Sequence, residues 1–255
     1  MSAVANPPQI HRMIGGTSVC FETNHNAHKK GFFPVASRMF TKTSAASDLM
    51  KGIRESCHLF QSAHKEAPFL SAGMNHAFEH CKAVSGYAFG ALSLPYWFSV
   101  VDKVQGKVAK QEYDLEFSRH LTEVTAVTTY AVAPWISNKL LSGSIASVGK
   151  VLSIWPQAFD LQSSIRKLIK VVPLVNRAGT HDDKKALKAT IFETSFKISK
   201  LVLVLFATIA SVVSILTGFV LPAAVAIAAL AASLGSVVFS LMAEQVRVSS
   251  PLLAI

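Results

Sequence analysis

Apolar positions recur at three- and four-residue spacing through most of this chain and then merge into one unbroken block. Leu49, Ile53, Cys57, Phe60 and His64 keep a helical period. A helix is therefore expected to begin near Ser47 and Asp48 and to end at Pro68, since proline lacks an N–H donor and clashes with the preceding turn. A second helix is expected over residues 69–93, closed near Pro95. Residues 102–123 carry the densest charge and read as one helix with a solvated face. Residues 122–135 are rich in Thr, Val and Ala. Their β-branched content leaves helix or strand open, and the helical surroundings favour a helix ending at Pro134.

Ser142, Gly143 and Ser144 signal a turn. Residues 145–155 and 159–175 then read as two helices parted at Pro156. In the second, Phe159, Leu161, Ile165, Leu168, Ile169 and Val172 interleave with Arg166, Lys167 and Lys170. The first reading of that stripe is core packing, and the second is a basic amphipathic helix on an anionic membrane. Residues 176–179 break the period. Thr180, with Asp183 three residues later, resembles a capping box with Asp in the place of Glu, so a helix should start there.

The block itself, residues 201–243, is 43 residues without one Asp, Glu, Lys, Arg or His. The segment Thr217, Gly218, Phe219, Val220, Leu221, Pro222 divides it, and the pattern predicts a two-helix membrane hairpin. Eleven Leu, Ile, Val or Phe residues in 201–216 favour insertion by about −3 to −7 kcal/mol before Ser and Thr costs. Sixteen residues rise only about 24 Å, short of a core of about 30 Å, so Ile198 must be borrowed while Lys197 and Lys200 snorkel. Residues 223–243 hold eight such strong residues and eight alanines, and form the weaker inserter. Ala207 and Ser211, Ala210 and Ser214, Ala224, Ala228 and Ala232, and Ala231 and Gly235 have the four-residue spacing that lets helices approach closely in lipid. Leucine at Ala228 or Gly235 should therefore loosen the pair more than leucine at Val225. Gly218 suits a helix stop and Pro222 a helix start.

The expected anchor residues are Leu201, Leu205, Ile209, Val213, Gly218, Pro222, Ala228, Ala232, Gly235 and Phe239. Lys184, Lys185, Lys188, Lys197 and Lys200 form a basic collar ahead of them, while Glu244 and Arg247 follow. On the positive-inside rule both termini face the cytosolic side. A buried hairpin in a soluble protein is outweighed by the length of the uncharged run. Residues 83–101 are also uncharged, but Ser85, Gly86, Tyr87, Gly90, Ser93, Pro95 and Tyr96 dilute them, which favours a buried or interfacial helix over a span.

The expected fold class is all-α, a helical N-terminal region followed by a C-terminal two-helix transmembrane hairpin. Residues 1–45 read as mostly disordered, 46–180 as a helical cytosol-facing region, 181–247 as the collared hairpin and 248–255 as a short tail. Composition agrees: 51% of residues are apolar and 16% charged, against about 25% charged in soluble domains. Three cysteines make no disulfide framework and fit a reducing compartment. The first nine residues lack the basic and apolar regions of a cleavable signal. The five Lys or Arg in 1–45 against Glu22 also fit an organellar transit peptide.

His76, His80 and Cys81, with Cys57, His58 and His64 upstream, are the one metal-like cluster. The Glu of a zinc-protease helix is missing, because Ala77 stands in its place and Glu79 is displaced. These residues read as incidental to a helix surface. Phosphate loops, nucleophile elbows and paired carboxylates are absent from the sequence, so no catalytic residue, metal or cofactor is expected and the chain reads as non-enzymatic. The net charge of +10 comes without the aromatic interleaving of a nucleic-acid platform. The expected partners are the lipid bilayer, a host or membrane protein, and a second copy of the chain.

The two short apolar lobes, 201–216 and 223–243, joined by the small turn 217–222, resemble the bilobed domain of the chlamydial inclusion membrane (Inc) proteins. The polar, Ser- and Asn-containing start, residues 1–9, is similar to a type III secretion signal. The resemblance covers about a sixth of the chain and carries no catalytic residue. It implies a secreted effector in the membrane of a pathogen-containing vacuole, with both termini in host cytosol and a role in scaffolding or recruitment. The alternative is a peroxisomal or mitochondrial membrane-remodelling protein using amphipathic helices such as 159–175.

Overall fold

The computed structural model describes residues 9–14, 16–22, 49–50, 52–54, 56–57, 60–61, 64, 71–136, 138–217, 223–250 and 252–254. The chain is mostly helical. Five long helices follow one another: α1 (Ala72–Ala109), α2 (Leu115–Val132), α3 (Lys139–Arg177), α4 (His181–Thr217) and α5 (Ala223–Ser249). Each packs on the next. Leu49, Ile53, Cys57, Phe60 and His64 are all helical, as their spacing predicts. That segment lies along α1, where Phe60 stacks on Phe78 at 5.5 Å and Lys82 Nζ donates to Gln61 Oε1 at 3.2 Å. Pro68 lies outside the described residues.

The helices are fewer and longer than the prolines and turn signals predict. Helix α1 continues through Pro95, and α3 runs through Ser142–Ser144, Pro156 and Pro173. An internal proline costs about 3 kcal/mol, which packing along a long helix can outweigh. Around Pro95 the neighbours are held: Ser93 Oγ donates to Gly90 O at 2.7 Å, and Trp97 Nε1 donates to Thr128 Oγ1 of α2 at 2.8 Å. Helices α2 and α3 come close at Gly149, where an added Cβ would sit 2.2 Å from Thr129 Oγ1. Pro134 does end α2, through the 3-10 turn Ala133–Trp135.

Residues 102–123, expected as one helix, are divided between α1 and α2. Gln111 adopts φ 56°, a left-handed conformation that stops the first helix. Asp114 starts the second by accepting the Phe117 N–H at 2.8 Å. Lys107 Nζ lies 3.2, 2.9 and 3.0 Å from Glu112, Asp114 and Glu116, which clamps the connection. Those acceptors, Asp114 first, push the Lys107 pKa up.

The expected disorder of residues 1–45 is corrected at 9–22. There β1 (Gln9–Ile14) and β2 (Thr17–Glu22) form an antiparallel hairpin, turning at Gly16 with φ 82°. The fold is mostly helical as expected, with a small sheet added, since β3 (Leu252–Ala254), in the expected short tail, pairs antiparallel with β2. The three-stranded sheet has order β1-β2-β3. The reason is packing: Ile14 and Val19 are buried against Val171, Leu174 and Ala178 at the end of α3 and Ala186 and Leu187 at the start of α4. An isolated hairpin is marginal, and this one is supported by helices distant in sequence.

The turn between α3 and α4 is as the sequence predicts. Thr180 Oγ1 accepts the Asp183 N–H at 3.1 Å, and Lys184 N–H donates to Thr180 O at 3.2 Å. Arg12 Nη1 of β1 donates to Asp183 Oδ1 at 2.6 Å, so one carboxylate joins the cap to the sheet. The Thr180 hydroxyl, then Arg12, hold the Asp183 carboxyl below the usual range.

Four outcomes follow. A lowered folded pKa gives stability that is present above the unfolded value of about 3.9 and lost as pH falls through the folded one. Hydrogen exchange should show the β1–β2 amides losing protection ahead of α3 on acidification below about pH 4. Asp183→Asn should produce that loss at neutral pH, and unchanged protection there would refute the Arg12 anchor. Thr180→Ala should cost about 1 kcal/mol as a lost cap, and Gly149→Leu about 1–3 kcal/mol by overpacking, both read by thermal unfolding.

Candidate membrane anchor and basic collar

Helices α4 and α5 run antiparallel. Phe196 stacks on Phe239 at 6.1 Å, Lys200 Nζ donates to Ser240 Oγ at 2.9 Å, and Ala207 packs with Ala229 and Ala232. A Cβ added at Gly235 would lie 3.1 Å from Leu203 Cδ1. Small side chains thus bring the two backbones together. The contact face of α5 carries Ala229, Ala232, Ser236 and Ala243, all buried.

Among the expected anchor residues, Ala232 and Gly235 lie on that face and Phe239 joins the stack. Ala228 does not, because it is exposed. The alanine-rich run offers more than one row of small residues, and the choice is made by Leu203 and Ala207 on the partner helix. Leu201 and Leu205 are partly covered, while Ile209 and Val213 face outward. Gly218 and Pro222 lie outside the described residues.

The outer face of α4 is an apolar stripe. Val202, Phe206, Ile209 and Val213 recur at helical spacing, each 47–50% exposed. On α5, Ile227–Arg247 is long and apolar enough to cross a membrane. Its 21 residues rise about 31 Å, and 28% of the residues in its most apolar stretch are buried. It lies in the half expected to be the weaker inserter.

The basic collar divides in two. Lys197 pairs with the buried Glu193, and Lys200 is bound to Ser240. Lys184, Lys185 and Lys188 are exposed, and with His181 they line one side of a groove of about 660 Å³. Phe192, Phe196, Met242 and Val246 supply its apolar walls. The sequence pointed to the lysines but not to the groove, which needs the end of α5 folded back on the start of α4. Phe192 and Phe196, four and eight residues after Lys188, are the signal that lay on the same helix face.

A second polar cluster, missed in the sequence, joins α1, α2 and α3. Arg119 Nη2 lies 2.6 Å from Asp160 Oδ1 and Arg119 Nη1 3.7 Å from Glu123 Oε2, with the guanidinium 5.6 Å from the centre of the Phe159 ring. His120 Nδ1 lies 3.5 Å from Glu123 Oε2, and the Tyr96 hydroxyl donates to Glu123 Oε1. Tyr96 is partly exposed, yet burial and then the Glu123 charge push its pKa up. Burial raises the Asp160 carboxyl, against the opposing pull of Arg119. Arg119–Glu123 and His120–Glu123 are local pairs, but Arg119–Asp160 and Tyr96–Glu123, 41 and 27 residues apart, leave no local motif. The cluster sets charges opposite Tyr96, which makes residues 83–101 costly to place in a bilayer.

His76 and His80 bring their Nε2 atoms to 2.9 Å on an exposed face. Among the described residues, no group of three or more His, Cys, Asp or Glu is placed to hold a metal. Burial, then the neighbouring Cys81, push the Cys57 thiol up to about 11. Comparison with family models, curated proteins and solved structures gives no match for the chain.

The contact face predicts which substitutions matter. Gly235→Leu and Ala232→Leu should each destabilise the α4–α5 pair by about 1–3 kcal/mol through overpacking, while Ala228→Leu should change its stability by no more than about 0.5 kcal/mol. Thermal unfolding in detergent micelles measures the difference, and an Ala228→Leu effect as large as that of Gly235→Leu would rule out this face.

Proposed function

We propose that the chain is a non-enzymatic integral membrane protein, anchored by a transmembrane hairpin of α4 and α5 and presenting α1–α3 and the sheet on one side of the bilayer. The observation that carries this reading is the outward apolar stripe of α4 beside the long apolar span of α5, which turns Val238 and Met242 outward. A soluble core helix would bury such a face, whereas lipid covers it without further protein. The pairing of β2 with β3 supports the topology. It puts residues 17–22 and 252–254 in one sheet, which an even number of crossings allows. The lysines before residue 201 support a cytosolic location for that side.

The setting implied by the resemblance is the membrane of a pathogen-containing vacuole, reached by type III secretion, with the helical region free to recruit a host or membrane protein. A second reading, a membrane-remodelling protein of a eukaryotic organelle, draws on α3. There Ile165, Ile169 and Val172 are exposed beside Arg166 and Lys170, as in a helix resting on anionic lipid.

Tags at both ends test the anchor. In sealed membranes the chain should resist alkaline carbonate extraction, and protease added from the cytosolic side should remove both tags. Extraction by carbonate, or protection of one tag alone, would refute the hairpin. Vesicle tubulation by the purified chain would favour the remodelling reading over the effector reading.

A further inference from the structure

We propose that the groove between the start of α4 and the end of α5 binds the acidic headgroup and upper acyl chain of an anionic phospholipid. The proposal rests on the membrane reading above, since the ligand comes from the bilayer that holds the hairpin. Three features of the groove point the same way.

The first is charge. Lys184, Lys185 and Lys188 stand together on one side, none has an ion-pair partner among the described residues, and no carboxylate lines the groove. The nearby Asp183 is already engaged by Arg12. Three ammonium groups lining one groove with no carboxylate among its walls favour an anion.

The second is the opposite wall. Phe192 is 59% exposed, and with Phe196 and Met242 it forms an apolar surface against the lysine side. Inorganic phosphate would engage the lysines and leave this surface wet. A phospholipid satisfies both walls, because its phosphate and its first methylenes are joined in one molecule.

The third is depth. Met242 and Val246 belong to the last turns of Ile227–Arg247, so the groove opens where that span meets the headgroup layer. Beyond Phe196, α4 continues into the apolar stripe that starts at Val202, so an acyl chain leaving the groove meets more apolar surface. The volume, about 660 Å³, suits a headgroup with part of its chains.

The test uses the full chain in phosphatidylcholine nanodiscs, titrated calorimetrically with dioctanoyl phosphatidic acid, dioctanoyl phosphatidylcholine and inorganic phosphate, with empty discs as the blank. The phosphatidic acid should bind saturably, and the other two at least about tenfold more weakly. The triple variant Lys184→Gln, Lys185→Gln, Lys188→Gln should lose at least about tenfold in affinity, from roughly tenfold per 1.4 kcal/mol and about 1 kcal/mol per lysine. The corresponding Lys→Arg triple variant should keep binding, and Phe192→Ser should weaken the lipid severalfold. Equal binding by the wild type and the Gln variant, or phosphate binding as tightly as the lipid, would overturn the proposal. Flotation with vesicles of phosphatidylcholine alone reads the anchor separately. Flotation without saturable lipid binding overturns the groove alone, whereas a wild-type chain that does not float overturns the anchor as well.

Discussion

An apolar helix face has to be covered, and in this chain that demand is set by the continuity of α4. The helix runs without interruption from His181 to Thr217, yet its charges stop at Lys200. One set of backbone hydrogen bonds therefore joins a polar half to an apolar half and fixes their relative direction. The polar half carries the sheet and the end of α3, and the apolar half carries α5. Thr208 Oγ1 donates to Val204 O at 2.7 Å and Ser236 Oγ to Ser233 O at 2.6 Å, so these hydroxyls are satisfied within their own helices.

The polar half is held from two directions. On one side the hairpin buries Ile14 and Val19 over the α3–α4 turn, with Arg12 fixing its register through Asp183. On the other, Arg119, Glu123 and Asp160 link α2 and α3, and Tyr96 brings in α1. Buried ion pairs of this kind add little net stability against an apolar alternative, but breaking one leaves a costly unpaired charge. Their effect here is to define how three long helices sit beside one another, where apolar contact alone would permit sliding.

What the sequence made legible was local. The uncharged run, the Thr180 cap and the helical period from Leu49 to His64 each depend on residues a few positions apart. The errors came where a distant partner decided the outcome. Pro95 and Pro156 were read as helix ends because their local cost is definite, while the packing that overrides it is spread over neighbouring helices. The β-hairpin was missed because six-residue strands carry little signal until Val171 and Leu187 cover them. Ala228 and Ala229 are indistinguishable as small residues, and the register between α4 and α5 separates them. The groove was half visible, since its lysines and phenylalanines share one helix while Met242 and Val246 arrive from another.

The inequality of the two apolar helices explains why they come as a pair. The strong apolar residues of α5 contribute only about −2 to −5 kcal/mol toward insertion, with alanine near neutral. Alanine is nonetheless what the interface requires, because Leu203 and Ala207 of α4 can approach Gly235, Ala232 and Ala229 only if those side chains are small. A more apolar α5 would enter lipid more readily and pack on α4 less closely. The composition of α5 thus favours close contact with α4, while α4 turns its larger residues Val202, Phe206, Ile209 and Val213 outward. The same close contact brings the end of α5 over the start of α4. The groove beside Lys184, Lys185 and Lys188 is therefore a geometric consequence of the small-residue interface.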